Sequence, residues 1–61
     1  MSMAGERRFS EVRKMLEKKG YVLARISGSH HIFTKAGEGP VSVPVHKGKV
    51  QPYYVRHVEK L

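Results

Sequence analysis

The chain has no cysteine, no tryptophan and no aspartate, and nowhere does it hold an apolar run long enough to cross a bilayer. Without thiols there are no disulfides and no thiolate ligands for a structural zinc ion. Without aspartate, only scattered glutamates remain as carboxylate ligands or as a carboxylate acid–base pair. The first residues also lack the hydrophobic stretch of a secretory signal, so a cytoplasmic location is expected. With 61 residues the chain makes one small domain. A single core below about 70 to 80 residues supplies only about 3 to 5 kcal/mol, which makes a stabilising partner plausible.

What the chain does have is positive charge. Twelve Lys and Arg stand against five acidic residues, for a net charge of +7 and a pI near 10.2. That balance suits a protein that meets polyanions or an acidic partner. A basic amphipathic helix lying on a membrane is not expected, because the first helical stretch is too short and too mixed.

Residues 1–8 are expected to form a disordered leader, and residues 9–61 the folded domain. Val12, Met15 and Leu16 follow helical spacing between Ser10 and Lys19, with Ser10 as N-cap, Phe9 as a staple before it and Gly20 as the left-handed stop. "YVLARIS" (Tyr21–Ser27) and "SHHIFTK" (Ser29–Lys35) read as two strands joined by a tight turn at Gly28. "VSVPV" (Val41–Val45) reads as a third, placed at a sheet edge because Pro44 cannot donate a ladder hydrogen bond. "HKGKVQ" (His46–Gln51) reads as a loop. Pro52 then opens a second helix that carries Val55, Val58 and Leu61 on one face. The expected class is α+β: a two-layer α-β-β-β-α domain whose three-stranded antiparallel sheet is covered on one face by two helices.

The stretch "GSHHIF" (Gly28–Phe33) sets two adjacent histidines on one strand. Alternation sends His30, Ile32 and Thr34 to one face and Ser29, His31 and Phe33 to the other. If Phe33 enters the core with the valines, His31 lies towards the packed layer and His30 faces solvent; if Ile32 is the buried residue, the assignment reverses. Adjacent strand residues point apart, so the pair is a poor metal site, and neither a metal nor any other cofactor is expected. His46 is either a second acid or phosphate contact, or a surface histidine beside Lys47. Lys47 and Lys49 around Gly48 can grip phosphates or be a solvated charge run. Tyr53 and Tyr54 either stack bases or pack on the sheet, and His57 is read as solvent-facing.

"LEKKGYVLARISGSHHIF", followed by "VSVPVH" and a proline-led final helix, resembles the HicA family of bacterial toxins over nearly the whole chain after residue 8. The most specific parts are "KKGY", the arginine before "GSHH", and "VPVH". The resemblance implies a fold similar to double-stranded RNA-binding domains, metal-independent cleavage of messenger RNA by a histidine, and a HicB-type antitoxin partner. The family's Gly-Ser-His motif falls on Gly28, Ser29 and His30, which makes His30 the candidate catalytic residue.

The chemistry fits those residue types. RNA is cut without metal when a base takes the ribose 2′-hydroxyl proton, that oxygen attacks the adjacent phosphorus, and cations steady the added negative charge. An ordinary histidine, with a pKa of about 6.5, suits the base role. Arg25 before the motif and Lys35 after it supply charge, Gly28 lets a phosphate approach the backbone, and Ser29 can orient the ribose or the imidazole. Two other functions compete with a ribonuclease toxin. One is a non-catalytic RNA-binding module of the same fold; the other is an interaction module whose basic face meets an acidic protein.

Overall fold

The computed structural model describes residues 5–61. The leader expected at residues 1–8 thus falls for its first four residues outside the described residues. Arg7 and Arg8 belong to the fold: they form strand β1 (Arg7–Arg8), antiparallel to β5 (Lys49–Val50) with Arg7 opposite Val50 and Arg8 opposite Lys49.

Helix α1 spans Phe9–Lys18 and buries Val12 and Leu16. It begins one residue before the expected Ser10 cap. The cap position is Arg8, which makes no side-chain cap bond; the Phe9 amide instead donates to the Gly48 carbonyl at 2.8 Å. A backbone group from the other end of the chain thus satisfies one of the free N-terminal donors, and Phe9 packs against the core from the first turn. Gly20 ends the helix as expected, at φ +94°. The Gly20 amide donates to Glu17 O and the Tyr21 amide to Leu16 O, both at 3.0 Å, the paired bonds of a left-handed glycine cap.

Strands β2 (Val22–Ser27), β3 (His30–Thr34) and β4 (Val41–Pro44) form an antiparallel sheet in the order β2-β3-β4. β4, the proline-bearing strand, lies at an edge. Gly28 (φ +61°) is the first of two residues in the β2–β3 turn, the position where a type II′ hairpin needs positive φ. The expected loop His46–Gln51 is a second hairpin. His46 and Lys49 exchange both backbone hydrogen bonds, at 2.9 and 3.0 Å, across a turn in which Lys47 (φ 54°) and Gly48 (φ 77°) are both left-handed, the type I′ pattern.

Helix α2 (Pro52–Glu59) buries Val55 and Val58. Leu61, expected on the same buried stripe, lies beyond the helix and is exposed. The α2 end is tied to α1 by Lys19, whose Nζ donates to the carbonyls of Leu61 (3.0 Å) and Glu59 (3.4 Å), a cation meeting the negative end of a helix. Both helices close over one sheet face, where Val12, Leu16, Phe33, Val43, Val50, Val55 and Val58 are all fully buried. The domain is α+β, with a helix–strand order consistent with a double-stranded RNA-binding-domain-like fold; the short β1–β5 pair is added to that plan.

Candidate active site

Strand pairing sorts the residues of β2–β4 between the two faces. Phe33 is opposite Leu23 and Val41, and His31 opposite Ile26 and Val43; these share the helix-covered face. His30 is opposite Ser27 and Pro44, and Ile32 opposite Arg25 and Ser42; these share the open face. With Phe33 fully buried, the alternative in which Ile32 takes the core position is excluded.

The two histidines therefore occupy different environments. His30 is exposed. His31 is half-buried against the Phe9 ring, with centroids 4.3 Å apart, and its Nδ1 is buried with no hydrogen-bond partner among the described residues.

Arg25 reaches the open face through an irregularity in β2. Leu23 pairs with Phe33 while Arg25 pairs with Ile32, so Ala24 is an extra residue on its strand. Without that bulge, Arg25 would share the covered face with Leu23, two residues away; the extra residue turns it to the other side. It thus lies diagonal to His30, at a spacing of about 7 to 8 Å for such neighbours.

The other side of His30 leads to a row of cations. Along β4, Val41 and Val43 are buried, Ser42 is exposed, Val45 packs against the core and His46 is exposed. His46 thus continues the open-face set of Ser42 and Pro44. The Val45 amide donates to Ser29 O at 2.7 Å, which extends the β3–β4 ladder past His30 and sets His46 diagonal to it. Lys49 is directly across from His46, and Arg8 across from Lys49, each exposed. Directly paired residues of antiparallel strands project to the same side. Arg8, Lys49, His46, His30 and Arg25 therefore follow one another over one surface. Arg8 was hidden from sequence reasoning because its partner, Lys49, is far away in the chain; the only local hint was that a "KG" dipeptide after "VPVH" can close a hairpin.

Four of the five glutamates lie away from this surface: Glu11 and Glu17 on α1, Glu38 in the β3–β4 turn and Glu59 on α2; Glu6, two residues before Arg8, stands at its far end. Two of them are engaged within or beside α1, Glu17 with Arg13 at 3.1 Å and Glu11 with Arg7 at 3.9 Å. From Lys49 to Arg25 the cations have no carboxylate among them and repel one another, and a polyanion relieves that repulsion. Gly28 leaves the turn beside His30 open: a Cβ built there would meet nothing within 4 Å. Ser29 is exposed in the same turn, but it lies across from Val45, to which the ladder bond joins it, and so projects to the other side of the strand from His30.

Lys35 is not part of this surface. It follows the far end of β3, about 16 Å of extended strand from His30, and its ammonium lies 5.5 Å from the Tyr21 ring centroid. Lys47 is at the tip of the second hairpin. A shallow hollow on the outer side of α2 is lined by Tyr53, Arg56, His57 and Lys60, opposite the core residues Val55 and Val58 and so remote from the open sheet face. Tyr54 packs against the core, whereas Tyr53 is 66% exposed. Among the described residues, no helix is long and apolar enough to cross a membrane.

No curated protein matches the chain. The family model described as the HicA toxin of bacterial toxin-antitoxin matches residues 9–61, from the first residue of α1 to the end of α2 and beyond. That span contains every residue of the open face except Arg8. The chain belongs to the HicA family of toxins from bacterial toxin–antitoxin systems.

Proposed function

We propose that this toxin is a metal-independent endoribonuclease that cuts messenger RNA with His30 as the general base, and that a HicB-type antitoxin neutralises it. The observation that carries this reading is the position of His30: an exposed imidazole on a sheet face populated by cations. A phosphodiester strand lies along Arg8, Lys49 and Arg25, which hold it by charge and lose their grip as salt rises. The open Gly28 turn admits the backbone. His30 removes the 2′-hydroxyl proton, the 2′-oxygen bonds to phosphorus, and the bond to the 5′-oxygen breaks. The products are a 2′,3′-cyclic phosphate and a 5′-hydroxyl end. An antitoxin that covers this face with acidic side chains blocks RNA by occupying the same cations.

The test is cleavage of purified RNA in the presence of a chelator. The wild-type chain is expected to cut it, and His30→Ala to cut at least about 100-fold more slowly while binding RNA with similar affinity. Undiminished cleavage by His30→Ala would rule out its role as base. RNA binding with no cleavage by the wild type would leave a non-catalytic RNA-binding module, and a chain that binds only an acidic protein would be an interaction module.

A further inference from the structure

We infer that His46 is the general acid of the same reaction, the group that protonates the departing 5′-oxygen; this rests on the ribonuclease reading above. In-line attack on phosphorus puts the entering 2′-oxygen and the leaving 5′-oxygen on opposite sides of the phosphate, so one imidazole cannot serve both ends at once. The surface offers a second one in a suitable place. His46 continues the open-face alternation of β4 beyond Pro44, the residue paired with His30, and its neighbour Val45 is held to Ser29 by a 2.7 Å hydrogen bond. The two imidazoles thus stand diagonally across adjacent strands, with Cα atoms about 7 to 8 Å apart, a gap that a phosphate fills. Gly28, in the turn that precedes His30, leaves open space beside it.

Two features separate His46 from an incidental surface histidine. Its backbone is fixed at both N–H and C=O by the pair of hydrogen bonds to Lys49. The hairpin that fixes it forces Lys47, a residue with a side chain, into the left-handed region at φ 54°, a conformation that costs any residue with a Cβ some stability. A tight turn held against that cost keeps His46 in register with β3 and puts Lys49 beside it, where the ammonium steadies a non-bridging phosphate oxygen.

The proton of the 2′-hydroxyl passes to His30 as the bond from the 2′-oxygen to phosphorus forms. The bond from phosphorus to the 5′-oxygen breaks with its electron pair on oxygen, and the proton of the His46 imidazolium passes to that oxygen. No oxidant or metal enters.

The experiment compares two substrates with the full chain: an ordinary ribodinucleotide-containing oligomer, and the same oligomer with sulfur replacing the bridging 5′-oxygen at the cleaved position. A thiolate leaves without being protonated, so a missing acid is not felt. His46→Ala is expected to cut the ordinary oligomer at least about 100-fold more slowly than wild type and the sulfur oligomer within several-fold of it, whereas His30→Ala stays slow on both. His46→Gln provides a second variant where alanine unfolds the hairpin. Wild-type rates for His46→Ala and His46→Gln on the ordinary oligomer, equal losses on both substrates, or rescue of His30→Ala by sulfur would each overturn the assignment. A wild-type chain that cuts neither substrate would instead bring down the ribonuclease reading itself.

Discussion

His30 and His31 are chemically identical and adjacent in sequence, yet they lie in two different regions of this domain. Beneath the helices, His31 sits against the Phe9 ring with a buried, unpartnered Nδ1; on the open face, His30 stands in solvent between Ser27 and Pro44. The covered face is built from apolar contacts and gives the domain its stability. The open face is built from cations and gives it an anion-binding surface. A single pleat separates the two roles, so a one-residue register slip would exchange them.

The largest effect should come from the covered face. Phe33→Ala removes a fully buried ring and is expected to cost about 3 to 5 kcal/mol, close to all the stability a core of this size supplies. Far-ultraviolet circular dichroism should find the variant unfolded at 37 °C unless its antitoxin is present; a cooperative melt near the wild-type temperature would contradict this account of the core.

Removing a cation from the open face should leave stability alone and weaken RNA binding. Arg25→Gln is expected to flatten the dependence of log affinity on log salt concentration by about 0.7, one phosphate contact on a single strand, with an unchanged melt. An unchanged salt slope would mean that the Ala24 bulge aims Arg25 at something other than RNA.

Smaller effects probe the boundary between the regions. His31→Leu replaces an unsatisfied buried nitrogen with carbon and should shift stability by no more than about 1 kcal/mol, in either direction. A loss several times larger would mean that Nδ1 has a partner in solution. Lys47→Gly relieves a left-handed side chain and should raise the thermal midpoint by a few degrees, for a gain of about 0.5 to 1 kcal/mol in a domain of this size.

The sequence carried the covered face well and the open face in part. Helical spacing of Val12 and Leu16, the stop at Gly20, the tight turn at Gly28 and the edge strand marked by Pro44 are local signals, and each appears where its residues point. Period two then puts His30 on the face away from Phe33, given that Phe33 is buried. Three features were not legible. The Ala24 bulge is set by pairing with β3, since nothing in "VLARIS" marks an extra residue. The β1–β5 pair joins residues 7–8 to residues 49–50, a contact no local pattern encodes, and its closure over Gly48 displaced the expected cap from Ser10 to Arg8. Lys47 adopts a conformation for which glycine or asparagine is the usual signal, so "HKGK" read as a loop and the alignment of His46 with Lys49 and Arg8 went unseen.

The central claim is that the exposed histidine performs chemistry and the covered one packs. The most direct measurement is the single-turnover rate of RNA cleavage by His30→Leu and His31→Leu, each first verified to be folded by its thermal melt. The expected result is a fall of at least about 100-fold for His30→Leu and a rate within several-fold of wild type for His31→Leu. A folded His31→Leu that no longer cuts, beside a His30→Leu that still does, would contradict it.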